Sequence, residues 1–159
     1  MTNGVPMSAT EDPRRGVAPA WMNDGLAVYD LGVGPPLLVM PNPQGMVCTS
    51  EALGPLVELL VALGRRVITF DPPGAFASSR LPRLGLDEML AGAKEALTVA
   101  EVAAPVDVVG HSQATLCQLA LALAEPEVVR NLVLVGAVDG GWWSTRRAGG
   151  WHALVLAAL

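Results

Sequence analysis

Histidine is scarce in this 159-residue sequence, which contains two, His111 and His152. Any reaction that needs an imidazole base must draw on one of them. Cysteine is as rare. Cys48 and Cys117 form no metal-ligand spacing, and beside a chain start without an export signal they read as free thiols of a reducing cytosol. A single Lys and nine scattered Arg, against a net charge of -5, exclude a nucleic-acid footprint. No apolar run reaches the about 20 residues of a membrane span. Residues 1–15 are polar and lack the apolar core of a signal peptide. The expected location is cytoplasmic, with no cofactor and no metal.

Hydrophobic residues make up 52% of the chain and charged residues 16%, a composition that folds. The length suits one domain with a real core. Residues 1–19 read as a flexible tail. Short apolar runs then alternate with helical patterns. Leu26–Tyr29, Leu37–Met40, Arg66–Phe70, Val106–Val109 and Leu132–Val135 read as strands. Leu56, Leu59, Leu60 and Leu63 share the spacing i, i+3, i+4, i+7, which predicts a helix with one apolar stripe, stopped by Gly64. Leu86, Leu90, Ala93 and Leu97 mark a second helix, and residues 113–124 a third, ending before Pro126. Strands alternating with helices make an α/β protein with a mostly parallel sheet and helices on both faces. In such sheets ligands bind outside the carboxyl ends of the strands.

The stretch Val106-Asp107-Val108-Val109-Gly110-His111-Ser112-Gln113-Ala114 runs from a β-branched strand straight into a helix. A turn that tight forces its middle residue into strained backbone space and pushes its side chain out at the end of the sheet. Ser112 holds that middle position, at the positive end of a helix and next to a free backbone N–H, a setting that suits a nucleophile. The residues two before and two after must be small. They are Gly110 and Ala114, so the pattern is G-x-S-x-G with Ala in its last place. A plainer reading has Ser112 capping the helix that follows.

At this point the chain resembles the α/β-hydrolase family over about residues 26–140. Gly32-Val33-Gly34-Pro35-Pro36 is similar to the lead into the family's third strand. Asp71-Pro72-Pro73-Gly74-Ala75-Phe76-Ala77-Ser78 resembles D-x-x-G-x-G-x-S, with Phe76 in place of the second Gly. Arg130–Ala137 resembles the sixth strand, and residues 142–159, with Trp142, Trp143 and Trp151, look like the start of a cap that is cut short. The core would be residues 20–141, a truncated fold lacking the last strands. The resemblance implies that Ser112 is the nucleophile. It also implies that the N–H of Gln113 is one oxyanion donor and that of Asn42 the other, since Pro41 and Pro43 have none to give. A Ser nucleophile implies acyl transfer from an ester, amide or peptide, in the manner of esterases and proline iminopeptidases.

The family's acid and His follow strands that come after this stretch. Asp139 stands where some members place the acid, and His152 is the candidate base. His111 directly precedes Ser112, so its ring is expected to point away from the hydroxyl. The expectation is therefore a serine hydrolase fragment, catalytically incomplete by itself. The alternative is a non-catalytic binding protein that keeps the turn as scaffold. The Leu132–Val135 strand would be an apolar edge prone to self-association.

Overall fold

The computed structural model describes residues 17–42, 54–79 and 84–137. Along the chain the elements are β1 (Trp21–Asn23), β2 (Leu26–Leu31), β3 (Pro36–Met40), α1 (Pro55–Ala62) and β4 (Arg66–Phe70). They continue with α2 (Leu86–Val99), β5 (Val106–His111), α3 (Ala114–Ala124) and β6 (Val129–Val135). The strands form one sheet in the order β1-β2-β4-β3-β5-β6. The β3–β4, β3–β5 and β5–β6 pairings are parallel, and β1–β2 and β2–β4 antiparallel. This is the α/β architecture expected from the alternation of strands and helices.

The two-residue period of a strand sends neighbouring side chains to opposite faces. Leu38, Met40, Ile68, Phe70 and Val108 join one core with Met89, Ala93 and Leu97 of α2 and Cys117 and Leu121 of α3. Leu37, Val39, Val67 and Val109 join the other, with Val57 of α1. Strands buried on both sides therefore read as unbroken apolar runs. Right-handed crossovers explain the division of the helices. The chain steps from β3 to β4 in one direction, then from β4 past β3 to β5 and on to β6 in the other. The first step leaves α1 on one face, and the later two leave α2 and α3 on the opposite face. The direction reverses at β3, so the crevice at the carboxyl ends of β3 and β5 is the place where such a sheet binds ligands.

Helix α1 ends as the Gly64 signal implies. Gly64 has φ of 75°, its N–H donates to the Val61 carbonyl, and the Arg65 N–H donates to that of Leu60, a Schellman closure. The stripe expected on α1 is rotated, however. Leu59 and Leu63 are 56% and 67% exposed, while Val57 is buried and Leu56, Leu60 and Val61 pack beside it. The segment carries two overlapping sets at helical spacing, and Val57-Leu60-Val61 is the one that meets the sheet. On α2 the buried face is Met89, Gly92, Ala93, Ala96 and Leu97, with Leu86 exposed at the first turn. Of the expected tail, residues 1–19, Val17 packs against the α1-side core, and just after it the Ala20 N–H donates to the Val28 carbonyl. The remainder of that tail and all of residues 142–159 lie outside the described residues.

Strand β1 has no counterpart in the sequence reading. It forms a hairpin with β2, Asn23 opposite Leu26, through Asp24 and Gly25, both left-handed with φ of 41° and 82°. An Asp-Gly pair with both φ positive is the two-residue turn whose twist matches its strands.

Candidate active site

Val106, Val108 and Val109 build β5 as a buried strand next to β3 and β6. Ser112 follows its last residue, with φ of 56°, and α3 begins two residues later. A left-handed Ser at a strand-to-helix junction is strained backbone. Its N–H is fixed by the Val135 carbonyl of β6 at 2.9 Å. Its carbonyl accepts from the Thr115 N–H at 3.1 Å and from Thr115 Oγ1 at 2.6 Å. The helix N-cap is Gln113, without a side-chain cap, so the plainer reading of Ser112 as a capping side chain does not describe the turn.

The small residues around Ser112 have a visible cause. A Cβ on Gly110 would collide with Oε1 of Gln118 and would stand 2.9 Å from its Cδ and 3.3 Å from the Ala114 carbonyl carbon. Ala114 is fully buried, so the turn accommodates its methyl group.

Met40 of β3 pairs with Gly110 of β5. Asn42 and Ser112 thus each lie two residues beyond a paired position, on adjacent strands that run the same way. Both stand at the carboxyl ends beside the crevice, and Asn42 is buried. Among the described residues, no backbone acceptor takes the N–H of Gln113. His111 is exposed, and its ring lies over Gly136 at the end of β6, where an added Cβ would stand 3.7 Å from Nε2. Asp139, His152 and the residues Trp142, Trp143 and Trp151 lie outside the described residues.

The loop after β4 is stitched to β2. Oδ2 of buried Asp71 accepts from Tyr29 Oη at 2.7 Å and from the Ala77 N–H at 2.9 Å. Ser78 Oγ donates to the Asp71 carbonyl at 2.9 Å and accepts from the Ala27 N–H at 3.0 Å. Phe76, in the place of a Gly, is left-handed at φ of 50° and 42% exposed. Asp71 is therefore a structural hub of this loop. A cavity of about 190 Å³ opens beside this loop, between the β1–β2 hairpin and α2, lined by Asp24, Gly25, Ser79, Glu88 and Glu95 among others. Neither Ser112 nor Asn42 borders it.

Burial pushes the Cys117 thiol above its usual range, as expected of a packed and unreactive thiol. Among the described residues, no group of three His, Cys, Asp or Glu is placed to hold a metal ion, and no helix is long and apolar enough to cross a membrane. The polar residue that the sequence reading passed over is Gln118. Ala114, Thr115, Cys117, Gln118 and Leu121 are the buried residues of α3, and a Gln at helical spacing from Ala114 and Leu121 was the available signal.

These features define the α/β-hydrolase fold, and the chain belongs to that family: the family model matches residues 47–151. Among solved structures, BpoC of Mycobacterium tuberculosis, a candidate non-heme bromoperoxidase, is 27% identical, with a TM-score of 0.62 over 75% of this chain and 44% of its own. An α/β-hydrolase fold protein from Nakamurella multipartita is 28% identical, with a TM-score of 0.57 over 71% of this chain and 38% of its own. A candidate hydrolytic enzyme from Pseudomonas aeruginosa is 26% identical, with a TM-score of 0.62 over 75% of this chain and 39% of its own. The chain thus spans less than half the length of each of these three structures. Comparison with curated protein sequences finds no match.

Proposed function

We propose that Ser112 is the nucleophile of a serine hydrolase that acts on ester, amide or peptide bonds through an acyl-enzyme. The observation that carries this reading is the left-handed φ of Ser112 at the junction of β5 and α3. In the proposed reaction Ser112 Oγ attacks the carbonyl carbon and passes its proton to a base. The N–H groups of Gln113 and Asn42 stabilise the oxyanion, and the leaving alcohol or amine takes the proton. Water then cleaves the acyl-enzyme by the same steps in reverse order. The protein works in the cytoplasm on a small-molecule or peptide substrate, with neither nucleic acid nor a membrane as partner.

By itself this chain is a weak catalyst in the same reading. The ring of His111 is taken up against Gly136. The candidate base His152 and acid Asp139 lie outside the described residues. Triad members act as a unit, so Ser112 without a base would lose on the order of 10⁶-fold in turnover. Oxyanion donors alone can retain roughly 10³-fold over water. The purified chain is expected to hydrolyse a p-nitrophenyl ester barely above background, with Ser112→Ala changing the rate little. A robust rate abolished by Ser112→Ala would overturn the incomplete-triad reading, and His152→Ala would then test the base. A second reading is a binding protein that keeps the turn as scaffold. A fluorophosphonate probe separates the two, because labelling requires an activated Ser.

A further inference from the structure

The Ser112 turn is held from below by a side chain with no role in the reaction proposed above. Gln118 is fully buried on α3, four residues after Ala114 and so on the same helix face. Its Nε2 donates to the Val133 carbonyl of β6 at 3.0 Å. Its Oε1 finds no hydrogen-bond partner among the described residues. That oxygen occupies the space a Cβ on Gly110 would fill. An unpaired buried amide oxygen is costly, and a Leu at 118 would avoid that cost. Of the other buried residues of α3, Ala114, Cys117 and Leu121 have side chains without oxygen or nitrogen, and the Thr115 hydroxyl is bonded to the Ser112 carbonyl.

We propose that Gln118 is a positioning residue for Ser112, an amide strut that ties α3 to β6 and seats the turn by occupying the bare face of Gly110. Ser112 donates to Val135 and Gln118 to Val133, so both read the same strand two residues apart. Gly110 and Val133 also lie beside each other across the β5–β6 pairing, where Val109 is opposite Val133 and Gly110 opposite Leu134. The amide therefore spans three elements that meet at the turn and fixes their spacing. The strut also makes Gly obligatory at 110: an added methyl group meets the amide before it meets any backbone atom.

The proposal rests on the reading of Ser112 as nucleophile, but its test needs no turnover. Hydrogen exchange is followed at the Ser112 amide and at the Ile68 amide of β4 in the full chain. Gln118→Met keeps the length of the side chain and removes both polar ends. It is expected to speed exchange at Ser112 about tenfold or more, by local opening, and to leave Ile68 within about twofold. Gly110→Ala is expected to lower the melting temperature sharply, and to do so much less in a Gln118→Ala background, because contacting sites couple. If Gly110→Ala alone does not fold, recovery in the double variant supports the strut and failure to recover overturns it. Parallel rises at Ser112 and Ile68, additive losses in the double variant, or loss of folding in both single Gln118 variants would each overturn it. A Gln118-dependent turn carrying a probe-resistant Ser112 counts against the hydrolase reading alone. A probe-labelled Ser112 indifferent to Gln118 counts against the strut alone.

Discussion

At one edge of the sheet lies β1, three residues long, folded back on β2 by a tight Asp-Gly turn. Asn23 Nδ2 donates to Glu95 of α2 at 2.7 Å, which ties that edge to the helix layer. At the other edge lies β6, seven residues long and rich in β-branched side chains, with Val133 and Val135 44% and 37% exposed. Leu119 and Leu123 of α3 are exposed too. A very short edge strand offers little to pair with, whereas a long apolar one is a template for another strand. Among the described residues, no strand pairs with the outer side of β6.

The largest effect should come from blunting β6. The isolated chain is expected to self-associate through this edge, and Val133→Lys with Val135→Lys to weaken association by about tenfold or more, roughly 1.4 kcal/mol. Sedimentation velocity over a concentration series reads the change. A wild-type chain that stays monomeric at high concentration with a sharp cooperative melt would remove the contrast between the edges. A smaller effect should follow from loosening the other edge. Gly25→Ala puts a methyl group into left-handed backbone and against Ser79 Cβ at 2.8 Å. The expected cost is about 1–2 kcal/mol, seen as a lower melting temperature with association unchanged. Altered association in that variant would show that the hairpin edge also pairs.

The same two edges show what was legible in the sequence. β6 announced itself by an apolar run, since it is paired on its inner side and packs Leu132 and Leu134 against the rest of the fold. β1 did not: Trp21-Met22-Asn23 has no alternation, and Met22 is 56% exposed. Its only signal was the Asp24-Gly25 turn. The Ser112 turn was legible because steric necessity at Gly110 and Ala114 leaves a spacing behind. Gln118 was not, because nothing in a sequence says that a buried amide reaches across to Gly110. The rotation of α1 was hidden for a third reason. Six of its eight residues are apolar once Pro55 and Glu58 are set aside, so more than one stripe fits.

The smallest effect concerns what fastens β6 at its amino end, and it appears only in acid. Asp107 of β5 accepts from Arg130 Nε at 2.9 Å and Asn131 Nδ2 at 2.8 Å, both on β6, and from Arg65 Nη2 at 2.8 Å. Arg130 first, then Arg65 and Asn131, hold its carboxyl well below the ordinary carboxylate range, with burial opposing them. A carboxylate whose folded pKa is depressed contributes stability that is fully present above its unfolded value, near 3.8, and is lost as pH falls toward the folded one. This clasp should therefore act at constant strength between neutral pH and about pH 5 and drain away below about pH 4. Its exposed partners are screened by solvent and salt, so the effect is modest. Asp107→Asn should melt a few degrees lower at neutral pH and lose less of its remaining stability than wild type on acidification. Because Arg130 and Asn131 belong to the open edge, the variant should also fray that edge and raise self-association at neutral pH. Equal acid sensitivity in the two proteins would show that Asp107 does not fasten β6.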